Sequence, residues 1–369
     1  MNQASVSASR CVVAAFSLLT LPAATFGQAT SQHYKQTNLL SDTSAAPASD
    51  GNLVNPWGLS RSSGSPWWVS DNGTGVSTLY DGTGKAMPLI VTIPAAEDGK
   101  TGTPTGQVFN GSSDFQIAPG KPALFLFATE DGTISGWNPG VKPATAVVTV
   151  NTKGASVFKG MAVASIDDPS HGLYNFLYVA DFRKGKVWVF DSKFHRIEMH
   201  GDAFEDHRLP HGYAPFNIQN IGGNLYVAFA KQDGEHHDEV DGAGLGFVDV
   251  FAPSGHLLMR LQHGRWFNAP WGLAQAPSDF GIYSHDILVG QFGSGQILAF
   301  DPVTGDYKGT LKDASNAAIK IDGLWALEFG GGGTSGPSTS LYFTAGTDGE
   351  QHGLFGNITA VENTFGGDQ

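Results

Sequence analysis

A six-bladed, all-β propeller is the fold this sequence predicts, on three observations. Two copies of one tetrapeptide, Pro56-Trp57-Gly58-Leu59 and Pro270-Trp271-Gly272-Leu273, lie 214 residues apart, four units of about 53 residues, a propeller-type period. Between and after them run short apolar segments broken every few residues by turn signals, in a chain with 49 glycines among 369 residues. The last unit lacks a fourth strand, and a segment ahead of the first unit can supply it.

Taken in order, the units open on the first tetrapeptide, on 114–118 (DFQIA), 160–164 (GMAVA), 215–219 (PFNIQ), the second tetrapeptide and 324–328 (LWALE). Second strands follow at 67–71, 124–130, 176–181, 225–230, 286–291 and 340–345. Third strands follow at 76–81, 134–138, 187–191, 246–251, 296–301 and 357–362. Valine, isoleucine and aromatic residues suit a pleated, packed surface, and Asp-Gly and Asn-Gly dipeptides between the runs suit hairpins. Segment 36–41 (QTNLLS) resembles the fourth strand at 88–94 (PLIVTIP), so it is expected to complete the last blade and close the ring, hiding an edge.

Composition narrows the partners. With 34 acidic and 21 basic residues the net charge is −13, which argues against nucleic acid, whose binding rests on a basic surface that displaces counterions. Arg10 precedes an apolar run at 11–24 and small residues up to Ala29, the pattern of a secretory leader over 1–29, with one propeller domain over 30–369. That run is short of the ~20 residues that span a bilayer, so a secreted or periplasmic chain with no membrane span is expected. The one cysteine, Cys11, falls inside the leader, so stability is expected to come from core burial and bound ions rather than disulfides.

In a propeller, the loops joining second to third strands and those joining blades open on one face. Strand ends and entry loops there offer Asp71, Glu130, Asp181, Asn217, Gln291 and Asp322, oxygen donors suited to a hard cation such as calcium or to polarising a carbonyl. The competing role is structural: Asp71, Glu130 and Asp181 stand at strand ends, where such side chains cap the turn's own backbone. Trp57 and Trp271 are expected to pack blades.

A second cluster is richer in imidazole. His207 and His211 lie between units three and four, while His236, His237, Asp238 and Glu239 lie in 231–246, an insertion about ten residues longer than its counterparts. The connectivity predicts both loops on the same face, where histidine with carboxylates would suit zinc; a solvated charged loop is the alternative. No nucleophile elbow and no phosphate-cradling loop are present.

The repeats resemble those of the NHL and SMP-30-gluconolactonase-like propellers, most visibly at Trp68-Val69-Ser70-Asp71-Asn72-Gly73 and Tyr178-Val179-Ala180-Asp181. More closely, Asn55-Pro56-Trp57-Gly58-Leu59, the HHDEV insertion at 236–240 and Gly246-Phe247-Val248-Asp249-Val250-Phe251 resemble a family of secreted bacterial propellers associated with the exosortase system. The gluconolactonase resemblance implies a divalent cation held by channel oxygens, with Asn217, Asp71, Asp181 and Asp322 as nearest positions, although Trp57-Gly58 stands where that family has an acidic residue. The function expected is a binding module whose acidic upper face meets a protein, glycan or small ligand. The alternative is a divalent-metal-dependent hydrolase of lactonase or esterase type, or a lyase, working over the channel.

Overall fold

A computed structural model describes Met1 and residues 33–168, 172–199 and 201–361. The expected leader lies outside these residues apart from Met1. Six antiparallel sheets are arranged as blades. From the channel outward, blade one is Pro56–Ser60, Trp67–Asp71, Val76–Tyr80 and Val91–Thr92. Blade two is Pro104–Phe109, Phe125–Thr129, Thr133–Trp137 and Val147–Asn151, and blade three is Phe158–Asp168, Gly172–Asp181, Lys186–Phe190 and Arg196–Ile197. Blade four is Tyr213–Ile221, Asn224–Lys231, Phe247–Phe251 and Leu257–Arg260, and blade five is Pro270–Gln275, Ile287–Gln291, Ile297–Phe300 and Tyr307–Thr310. Blade six is Leu324–Phe329, Ser340–Gly346 and His352–Val361, completed by His33–Ser41 from the start of the described chain.

The closing strand pairs antiparallel along His352–Val361, as its sequence suggested. Ser41 Oγ donates to the Gly353 carbonyl at 2.7 Å, and the Asp42 carboxylate accepts from the Gly353 N–H at 2.9 Å and meets His352 Nδ1 at 2.8 Å. Among the described residues no helix is long and apolar enough to cross a membrane.

Blade two corrects the sequence reading. Its inner strand is Pro104–Phe109, and 114–118 does not open the unit: Gln116–Ala118 pairs with Lys121–Pro122 as a side hairpin. Phe115 breaks any longer strand, since it sits at φ 56° with its ring fully buried.

The six inner strands share one register. Their pairing slips just after Pro56, Pro104, Phe158, Pro215, Pro270 and Leu324, so the same two positions follow in each strand. The first of these carries Trp57, Thr105, Lys159, Phe216, Trp271 and Trp325; the next carries Gly58, Gly106, Gly160, Asn217, Gly272 and Ala326. The glycine has a geometric reason. A Cβ on Gly58 would stand 2.5 Å from the Thr105 carbonyl oxygen, and one on Gly106 2.8 Å from Gly160 Cα. Where glycine stands at this position, neighbouring inner strands meet too closely for a side chain, whereas blades four and six accommodate Asn217 and Ala326.

Candidate functional site

The first of those positions builds an aromatic plug across the channel. Trp57 stacks on Trp325 with ring centroids 3.6 Å apart and meets Phe216 and Trp271 edge-on at 6.3 and 6.1 Å. Into this layer blade three puts Lys159, at the register where three other blades carry tryptophan. Its side chain is fully buried and its ammonium lies 4.7 Å from the Trp57 ring centre, a desolvated cation–π contact.

One layer above stand the residues that follow the second-strand partners of Pro56, Pro104, Phe158, Pro215, Pro270 and Leu324: Asn72, Glu130, Phe182, Ala230, Phe292 and Gly346. From these a hydrogen-bonded arc crosses five blades. Trp325 Nε1 donates to Asn55 Oδ1 at 3.0 Å, and Asn55 Nδ2 donates to Glu350 Oε2 at 2.6 Å. Asn72 Nδ2 donates to Glu130 Oε2 at 2.9 Å, and Glu130 Oε1 takes the Lys159 ammonium at 2.6 Å. Lys159 also reaches Asp238 Oδ1 at 3.3 Å, and that oxygen lies 2.9 Å from His237 Nδ1.

His237 and Asp238 belong to the long loop of blade four, which forms a strap beside the mouth. Its bends are made by its own residues: the Asp233 carboxylate accepts from the His237 N–H at 2.9 Å, and the Asp233 N–H donates to the Asp238 carbonyl at 2.8 Å. Asn268 of the blade-five entry pins its far end, accepting from the Gly242 N–H at 2.6 Å.

Charge is distributed unevenly over this mouth. Burial works against the Lys159 ammonium, but Glu130, Glu239 and Asp238 outweigh it and hold the pKa above the ordinary lysine value, so the group is charged and no nucleophile. Burial lifts Glu239 to about 8 despite the attraction of Lys159, and it also raises Glu350. Burial would raise Asp238 too, yet Lys159 and His237 hold it below the usual carboxylate range. The rim is acidic, with Asp238, Asp241, Asp322 and Asp348 exposed.

The residues expected from sequence scatter. Glu130 reaches the mouth because it lies one residue beyond the paired position, which Thr129 occupies. Asp71, Asp181 and Gln291 occupy that paired position and turn into their blades. Asp71 is fully buried, accepts from Thr78 Oγ1 at 2.7 Å and is pushed well above the usual carboxylate range by burial. Asp181 accepts from the Lys184 N–H at 3.1 Å, the turn-capping role, and burial raises it as well. Gln291 holds the Asn268 N–H at 2.8 Å. Asn217 lies among the inner strands, donating to the Trp271 carbonyl at 2.8 Å and lining a cavity of about 20 Å³ with Gln107 and Gln219. Asp322 is exposed and accepts from the Asp348 N–H at 2.8 Å, fixing the turn Thr347–Glu350 that carries Glu350.

The histidine loops do not form one group. His207 lies 3.2 Å from Asp202, and Phe204 of the same loop donates to the Gly255 carbonyl at 2.9 Å. That contact sits at the hairpin after Phe251, the end of blade four opposite the strap, because the loop must climb the full height of the blade before Tyr213 begins. His211 is exposed and engages Lys231 through its carbonyl at 2.9 Å; His236 is exposed in a left-handed turn at φ 56°. Glu130, His237 and Asp238 place ligand atoms within 4.8 Å of one another, and so do Asp202, Glu205 and His207 on the surface. Sequence reasoning passed over Lys159 and Glu350. The signal for Lys159 was present: aligning FKGM with PWGL puts a lysine at the tryptophan position.

The donors at the mouth do not fit a divalent ion as they stand. An ion at about 2.0–2.6 Å from a Glu130 oxygen would compete for the space and the charge that the Lys159 ammonium already holds.

No protein-family model matches the sequence. Uncharacterized protein R648 of Acanthamoeba polyphaga mimivirus is 32% identical over 332 residues, covering 86% of this chain and 77% of R648. Uncharacterized protein L690 of the same virus is 32% identical over 325 residues, covering 84% of this chain and 81% of L690. Among solved structures, a protein of unknown function from Bacteroides thetaiotaomicron superposes with TM-score 0.52 at 12% identity, over 88% of this chain and 76% of that one. Virginiamycin B lyase from Staphylococcus aureus superposes with TM-score 0.50 at 9% identity, over 89% of this chain and 99% of that one. These structural likenesses concern the fold. The chain belongs to the family of the mimivirus proteins R648 and L690, and its architecture is a six-bladed β-propeller.

Proposed function

We propose that this protein is a binding module that takes a cationic, donor-rich ligand, an amine or guanidinium group, at the acidic mouth of its channel. One observation carries the reading: the Glu130 and Asp238 carboxylates converge on one ammonium, that of Lys159, with the carboxyl oxygens of Glu239 and Glu350 nearby, leaving an excess of acceptors beside an aromatic plug. Carboxylates in excess favour an incoming cation, and the exposed Asp241, Asp322 and Asp348 would steer it. A thermal-melt screen tests the class of ligand. Spermidine and hexalysine are expected to raise the melting temperature while hexaglutamate and neutral disaccharides leave it unchanged; stabilisation by the neutral or anionic probes alone would overturn the reading.

A second reading, a lyase or hydrolase, is favoured by Glu239, whose pKa of about 8 suits a general acid or base, on the same strap as His237. It predicts turnover that E239Q abolishes with the fold intact. Export through the leader at 1–29, as in the secreted bacterial propellers the repeats resemble, is part of the proposal. Amino-terminal sequencing of protein recovered from the periplasm or medium tests it: a start near residue 30 supports export, an intact Met1 opposes it.

A further inference from the structure

The propeller resemblance implies a divalent ion over the channel, and the structure puts a side chain there instead. We infer that the ammonium of Lys159 is a built-in cation: it organises Glu130 and the His237–Asp238 strap as a metal would, and it keeps a latent metal site closed.

Three observations carry this. Glu130, His237 and Asp238 already approach one another as closely as ligands of one ion, within 4.8 Å. Lys159 Nζ stands 2.6 and 3.3 Å from two of the three, on a side chain with no solvent exposure. The lysine is also held in place from below. Gly160, next in the strand, has no room for a Cβ against Asn217 of the neighbouring inner strand, and the ammonium is seated over Trp57, with Phe182 and Phe216 at 5.8 and 5.9 Å. The stem cannot swing aside to admit an ion without leaving its aromatic seat. A divalent cation entering beside it would meet like charge in a desolvated setting, where repulsion is poorly screened. Removing the ammonium, with its stem kept, leaves three converging donors of mixed imidazole and carboxylate type, a set suited to zinc or manganese. The inference stands independently of which ligand the mouth takes.

The test is titration with Mn²⁺, followed by electron paramagnetic resonance, of the native protein, K159M and K159M/E130Q. The native protein is expected to show no stoichiometric uptake at the mouth. K159M is expected to bind one equivalent and regain in melting temperature much of what it loses in chelator, and K159M/E130Q to bind at least tenfold more weakly. Stoichiometric uptake by the native protein that E130Q abolishes would overturn the inference, as would a folded K159M that binds no ion. Should K159M fold only when Mn²⁺ is present, that is the expected rescue; should it fold in neither condition, K159Q, which keeps a hydrogen-bond donor near Glu130, is judged by the same two outcomes.

Discussion

Lys159 and Glu130 come from neighbouring blades and meet at 2.6 Å, the lysine with no exposed side-chain surface and the glutamate with 12%. This pair joins blade three to blade two at the point where the strap of blade four also attaches. Removing the lysine leaves the Glu130 and Asp238 carboxylates without their ammonium partner. K159A is expected to destabilise the fold by about 3–5 kcal/mol, the usual consequence of stranding buried charge. Urea unfolding measures it; a loss near zero would mean the ammonium is dispensable.

Trp57 touches three other rings of the channel plug, stacking on Trp325 and meeting Phe216 and Trp271 edge-on. W57A opens a large cavity at the point where all six blades converge. A loss of about 3–5 kcal/mol is expected, with W57F retaining part of it because a ring still fills the layer.

Ring closure rests on the strand His33–Ser41 and its clasp at Asp42 and His352. A chain starting at residue 42 leaves His352–Val361 as an open edge with Ile358 and Phe355 at its back. Size-exclusion chromatography is expected to show oligomers or aggregate in place of monomer. A monomer with an unchanged melt would mean the ring closes without that strand.

Acid should stabilise this protein over part of the pH scale, against the usual trend. Burial lifts Glu328 to about 8, with Arg61 at 3.7 Å pulling the other way. Between the ordinary glutamate value and about 8 the folded state holds a proton that the unfolded state has released. Stability therefore falls as pH rises through that window and levels above it, and Glu239 adds in the same direction. E328Q is expected to flatten the slope measured by urea midpoints from about pH 4.5 to 8; an unaltered slope would contradict the assignment.

Blade architecture was legible in the sequence because period-two runs and glycine turns repeat at a fixed spacing, and the closing strand because the last unit was one strand short. The first inner strand of blade two was not, since PTGQVF has little apolar character and the ring of Phe115 made a false start look convincing. The site was legible only in part. The far ends of the second strands were identified to within one residue, and one residue decides whether a side chain enters the blade, as Asp71 does, or the mouth, as Glu130 does. Lys159 was hidden because a lone lysine in an apolar strand carries no local motif; only its register against Trp57, Trp271 and Trp325 reveals its place. The histidines were grouped by proximity in sequence, whereas the ascent of the loop along blade four separates His207 from His237.

Calorimetric titration of hexalysine into the native protein and into D238N/E350Q, at low and high salt, tests the central claim that the channel mouth binds cations. The account predicts saturable binding by the native protein that weakens steeply with salt and falls at least tenfold in the double variant. Equal heats from both proteins, or none from either, would contradict it.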